Sequence, residues 1–230
     1  MNPTWFDPNR NAVLSYTSLR RSVGWIGVAI PPVLPLGAWV LFGMDLQPSI
    51  SAYYYTGMRD VFVGSMCAIG VFLLSYRFGK ADDLLGDVAG VAAIGIALFP
   101  TTPDRDATGW ARAAGVAHLA FAAVFFAALA AFSLFLFTRS DGPTPRKLVR
   151  NTVYRICGWV IIVCLVLAVV SGAVLGEQVK VELRPLFWLE SLAILAFGVS
   201  WLVKGEALLR DRPGETKPDQ RDHVRPTAAG

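Results

Sequence analysis

A chain of 230 residues with 54% hydrophobic and only 17% charged residues is too apolar to partition into core and surface as a water-soluble domain does. Its charges gather in short stretches between apolar runs of about 20 residues, the length at which a helix rising 1.5 Å per residue crosses about 30 Å of hydrocarbon. The net charge of +4 calls for no nucleic-acid partner, because a bias of basic residues toward one membrane face, attracted by anionic lipid, accounts for it.

The runs are apolar all round rather than striped, which marks the solvent as lipid. The expected fold is all-α, a polytopic six-transmembrane-helix bundle over residues 23–204, with spans at 23–44, 61–78, 84–99, 113–137, 156–175 and 186–203. A cytoplasmic segment, 1–22, precedes it. The first span is too long for a signal-peptide core and lacks a small-x-small cleavage site. Its "IPPVLP" (Ile30 to Pro35) is expected to kink it, since proline removes a backbone donor and clashes with the preceding turn.

The third run contains Asp87 and reads either as a short or tilted span with that acid in its first turn, favoured by the helix dipole, or as a re-entrant piece. Cys67, Cys157 and Cys164 fall within spans as buried thiols, with no CxxC pair. After the sixth span, residues 205–230 mix both charge signs with proline and glycine and lack apolar periodicity, the signature of a solvated, disordered tail. His223 within it reads as inert.

Sixteen of the 21 lysines and arginines lie in the segments that alternate spans place on one side, and Arg59, Arg105, Arg112, Lys180 and Arg184 lie on the other. Both termini are therefore expected on the cytoplasmic side.

A step of 125 residues aligns Phe62 with Phe187, Ala68 with Ala193, Ile69 with Ile194, Phe72 with Phe197, Ser75 with Ser200, and Tyr76 with Trp201. "RSVGW" at Arg21 and "RICGW" at Arg155 echo each other where spans one and five begin. A parallel duplication of helices one and two as five and six accounts for both, against chance matching of common apolar letters. Gly86 and Gly90, Ala89, Ala93 and Ala97, and then Ala123, Ala127 and Ala131 recur four apart, a spacing that lets helix backbones approach closely in lipid.

Ionisable residues at membrane depth are costly and mark a functional site by default. On the outer side these are Asp60 at the mouth of span two, His118 six residues beyond Arg112, and Glu190 near the start of span six. With Arg59, Ser65 at the repeat position of Glu190, Tyr54 and Tyr55, they make up a candidate outward-facing ligand pocket. The competing reading is a structural network in which Glu190 and His118 pair or snorkel and Arg59 anchors its helix. Tyr53, Tyr54, Tyr55 and Trp110 fit an interfacial aromatic belt, or else a vestibule above the acids. No HExxH, second intramembrane histidine or GxSxG elbow is present, so neither a metal site nor a serine hydrolase is indicated, and no cofactor is called for.

The six-span layout, "SAYYYTGMRDVFVG", the lone His118 of span four and "FWLESLAILAFGVSWL" (Phe187 to Leu202) resemble uncharacterised bacterial six-helix membrane proteins grouped as domain of unknown function 998. They are distantly similar to the autophagy-modulator family of six-helix proteins. The resemblance implies a compact helical bundle in the bacterial inner membrane and little about activity. The ceramidase and progestin-receptor superfamily is a poorer match, because its HxxxH and seventh helix are missing here. The expected function is binding of a small polar molecule or lipid headgroup from the extracytoplasmic side, as sensor, chaperone or minor transporter. The alternative is a membrane-embedded metal-dependent hydrolase of lipid amide or ester bonds.

Overall fold

The computed structural model describes residues 8–103, 107–139 and 145–209, with side chains described from Tyr16 onward. The expected disorder of the tail beyond 209, His223 with it, lies outside the described residues. Seven α-helices form, and no strand occurs among the described residues: α1 (Pro8–Phe42), α2 (Arg59–Leu74), α3 (Lys80–Leu98), α4 (Gly109–Ala131), α5 (Pro145–Val174), α6 (Glu177–Leu183) and α7 (Pro185–Lys204). A 3₁₀ turn, Ser51–Tyr55, precedes α2, and a π-helical turn, Phe132–Leu136, continues α4.

Among the described residues four helices are long and apolar enough to cross a membrane: Tyr16–Phe42, Gly109–Leu136, Pro145–Val174 and Pro185–Lys204. Six were expected from the sequence. The two that fall short are α2, at 16 residues, and α3, which carries Asp82 and Asp83 in its first turn and Asp87 one turn later. Asp87 is tied to more than the helix dipole, since its carboxylate accepts from Arg77 at 2.7 Å across the α2–α3 connection. α1 runs through Pro31, Pro32 and Pro35 without interruption and starts well before the expected span. It ends at Gly43, whose left-handed φ of 62° turns the chain so that the Met44 amide donates to the Ala38 carbonyl at 3.1 Å.

Each helix from α1 to α4 packs on the next in sequence, and α7 closes the arrangement by lying along both α5 and α1. Two of these seams depend on glycine. A Cβ on Gly198 would sit 2.7 Å from the Val28 amide nitrogen and 2.9 Å from the Gly24 carbonyl oxygen, and one on Gly90 would sit 2.8 Å from the Gly70 carbonyl oxygen. Only hydrogen at those positions lets α1 meet α7 and α2 meet α3 at backbone distance. The alanine stripe of α4 behaves otherwise: Ala123 and Ala127 are exposed.

At the end of the bundle holding the α2–α3 connection, Tyr76, Phe132, Phe137 and Trp201 form a cluster of rings with centroids 5.3 to 6.1 Å apart. The π turn admits it by widening the helix, with the Phe137 amide reaching the Phe132 carbonyl at 2.9 Å. It also places Ser133 Oγ 3.2 Å from Ser200 Oγ in the buried core. Tyr76 and Trp201, matched by the 125-residue step, touch each other, whereas Ser75 is exposed and Ser200 buried. Arg20 lies over the Tyr76 ring and donates to its hydroxyl at 3.0 Å, a cation–π contact where the stem is desolvated. Outward, α1, α4, α5 and α7 present bare apolar side chains such as Leu41, Leu119, Val169 and Leu192, the surface expected where lipid is the solvent.

Candidate functional site

The site forms where α7 begins. Arg184, left-handed at φ 46°, breaks α6 from α7, and Pro185 opens α7 at a position where its missing N–H costs nothing. Glu190 follows five residues in, about 7 Å along the axis. Its Oε2 accepts two backbone hydrogen bonds, from Ile50 at 2.7 Å and Ser51 at 3.2 Å. Those amides start the 3₁₀ turn and so have no partner within it, which makes them natural donors to a carboxylate.

The segment is held in that pose by its own polar groups. Ser49 Oγ accepts from the Ala52 amide at 3.0 Å, the buried Tyr53 hydroxyl accepts from the Gln47 amide at 3.4 Å, and Thr56 Oγ1 donates to the Tyr53 carbonyl at 2.8 Å. Ile50, only 1% exposed, is thereby driven into the bundle as a plug.

Below the plug lies a cavity with room of about 30 Å³ for a water-sized guest, walled by Ile30 of α1, Phe62, Met66 and Ile69 of α2, Ile96 of α3, Ala122, Phe125 and Phe126 of α4, and Ile194 and Phe197 of α7. Glu190 and Ser51 are the two polar residues on that wall. A void of this size admits a water molecule and nothing larger. Both amide bonds fall on Glu190 Oε2, so Oε1 is the acceptor left for a guest.

The other expected site residues occupy different places. His118, 4% exposed, turns Nδ1 to the Phe99 carbonyl at 2.7 Å, where α3 ends, and its Nε2 is buried without a hydrogen-bond partner. It joins α3 to α4 and makes no ion pair with Glu190. Arg59 donates to the Tyr54 hydroxyl at 2.9 Å and lies over that ring. Tyr55 donates to the Thr101 carbonyl at 2.6 Å, tying the 3₁₀ turn to the α3–α4 connection. Asp60 is exposed in the first turn of α2, and Ser65 is partly buried beside Met66 but off the cavity wall. Burial raises the phenols of Tyr53 and Tyr55 above their usual range, so both stay neutral hydrogen-bonding groups at physiological pH.

No family model, curated protein or solved structure matches this chain.

The site must therefore be read from its own chemistry. Among the described residues no three of His, Cys, Asp and Glu gather as a metal-ligand set, and Cys157 and Cys164 are buried free thiols. Sequence reasoning singled out Glu190 but missed its partners, the amides of Ile50 and Ser51, because backbone donors leave no side-chain signature. The available signal was the "PSIS" run ahead of the tyrosines, a turn-forming sequence with a serine placed to cap.

Proposed function

We propose that this chain is a six-span bundle of the bacterial inner membrane, with both termini cytoplasmic, that holds an amphiphile entering from the outer side. The guest's apolar body takes the space that the Ile50 plug vacates together with the cavity below it, and a hydrogen-bond donor at its head meets Glu190. Two features support crossing by α2 and α3 as well: Arg77 neutralises Asp87, leaving Val88 to Leu98 uncharged, and their Gly70–Gly90 approach matches packing in lipid.

The observation that carries this reading is a single carboxyl group on a wall that is apolar but for Ser51, already bound to a plug of its own chain. Such a wall suits a lipid-like guest better than a freely soluble polar one. A guest's donor bonds Oε1, and because the closed void holds only a water the guest's body must displace the Ile50 plug, so occupancy releases the segment 49–55. That coupling suits a sensor, and a chaperone or transporter would use the same step.

The test is thermal unfolding of purified protein in detergent with oleyl alcohol, oleylamine or oleate added. The alcohol and amine are expected to raise the midpoint, oleate to do little, and both Glu190→Gln and the cavity-filling Ala122→Phe to abolish the effect. Equal responses to all three amphiphiles, unaltered by either variant, would sink the proposal.

A further inference from the structure

We propose a second, separate lipid site on the outside of the bundle: one acidic diacyl phospholipid straddling α5, its phosphate on Arg155 and its two acyl chains in the grooves to either side. One groove runs between α4 and α5, about 430 Å³, over Ala127, Ala130 and Ile162. The other runs between α5 and α7, about 560 Å³, over Ile156, Val163 and Leu189. Both volumes fall within the roughly 300–1,000 Å³ of ligand sites.

The two grooves share two residues, Arg155 and Trp159. These are four apart and so stand on one face of α5, about 6 Å from each other along its axis. Arg155 is exposed and takes part in no hydrogen bond or ion pair among the described residues. Trp159 is 59% exposed. One cation between two apolar furrows reproduces the chemistry of one anionic head on two chains. The guanidinium matches a phosphodiester in charge and in its forked donors, and the indole fits the glycerol level of the interface.

The walls explain why a furrow exists there at all. Ala127, Ala130 and Ala131 of α4 present methyl groups where larger residues would fill the gap, and Gly158 lets α5 close on Leu134 and Ser133, where its Cβ would sit 2.5 Å from Leu134 Cγ. The small residues of α4 thus serve a lipid chain rather than a helix. All three helices that form the site are long and apolar enough to cross a membrane. The site shares no residue with the Glu190 cavity except Phe126, which lies at the edge of both.

Purified protein in mixed micelles, titrated with phosphatidylglycerol or with phosphatidylcholine of the same chains, tests this by thermal unfolding and native mass spectrometry. One phosphatidylglycerol per chain is expected, bound at least fivefold tighter than phosphatidylcholine. Arg155→Gln removes the preference, Arg155→Lys keeps part of it, Ala130→Phe weakens both lipids, and lysophosphatidylglycerol with one chain binds more weakly. Inorganic phosphate is expected to give no shift, and a shift equal to that of the lipid would mean a free-anion site instead. Equal binding of the two lipids, or an unaltered preference in Arg155→Gln, overturns the proposal. So does a stable dimer that buries Trp159, which would assign the grooves to a second copy of the chain. None of these variants touches Glu190, so this site and the cavity fail separately.

Discussion

The carboxylate of Glu190 lies 2.7 Å from the amide of Ile50, 140 residues away in sequence. One bond thus joins α7 to the segment between the first two helices, and pulls an isoleucine over a cavity walled by α1, α2, α3, α4 and α7. Two backbone amides end on this buried carboxyl, and leaving buried donors without an acceptor costs about 1–3 kcal/mol. Replacing Glu190 by alanine is therefore expected to lower stability by about 2 kcal/mol, and by glutamine less, since one carbonyl oxygen can still accept. Denaturation in detergent without added amphiphile measures both, and a neutral alanine variant would contradict the latch.

His118 is expected to act on stability alone. Its Nδ1 holds the Phe99 carbonyl at 2.7 Å, and truncation to alanine leaves that carbonyl and a void behind, costing about 1–3 kcal/mol. Because His118 stands off the cavity wall, the midpoint shift produced by oleyl alcohol should survive in His118→Ala. Loss of that shift with the fold intact would place the imidazole in the site.

Two glycine-to-alanine substitutions make a matched pair. In Gly198→Ala the new methyl meets backbone atoms of α1 at 2.7 and 2.9 Å, and overpacking of this kind costs about 1–3 kcal/mol. Gly64 has nothing within 4 Å of a Cβ, so Gly64→Ala should be neutral or gain slightly from helix propensity. Equal melting temperatures for the two variants would be incompatible with the close α1–α7 seam.

Ser133 and Ser200 offer an asymmetric test. Ser133 donates to Ser200, which in turn donates to the Phe197 carbonyl. Ser200→Ala leaves a buried donor on Ser133 unsatisfied, whereas Ser133→Ala removes only an acceptor's guest, so the first should cost more, by about 1 kcal/mol. The double variant should be no less stable than Ser200→Ala. A cycle of unfolding free energies gives the answer directly.

The number of crossings can be read by labelling. In a variant with Cys67, Cys157 and Cys164 replaced by alanine, single cysteines at Gln47, Gly79, Thr101 and Gly176 are tested with an impermeant maleimide in oriented vesicles. Six crossings place Gln47, Thr101 and Gly176 on one face and Gly79 on the other. If α2 and α3 do not cross, Gly79 reacts from the same face as Gln47 and Thr101.

Much of this architecture was legible in the sequence because it depends on properties local to about 20 residues. Apolar runs of about 20 residues without a polar stripe call for helices long and apolar enough to cross a membrane, where backbone groups can be satisfied only within the segment. The four-residue glycine spacing of α3 announced a close helix approach, and the fold directs it to α2, where Gly90 meets Gly70. The same spacing misled on α4, where Ala127 faces out of the bundle, because periodicity names a face without naming what that face meets. Three acids on α3 and the brevity of α2 blurred the count of crossings for the same reason: hydropathy does not see that Arg77 answers Asp87. Which buried charge meets which partner was decided by the tertiary structure alone. Glu190, His118 and Asp60 share a depth in the sequence, yet α7 closing against α1 brings Glu190 to the Ile50 amide, while the α3–α4 turn claims His118 for Phe99. Side-chain pairing across 140 residues is fixed by how helices pack and turn about their axes, and the donors that won here are backbone groups, which every residue but proline carries and no sequence pattern singles out.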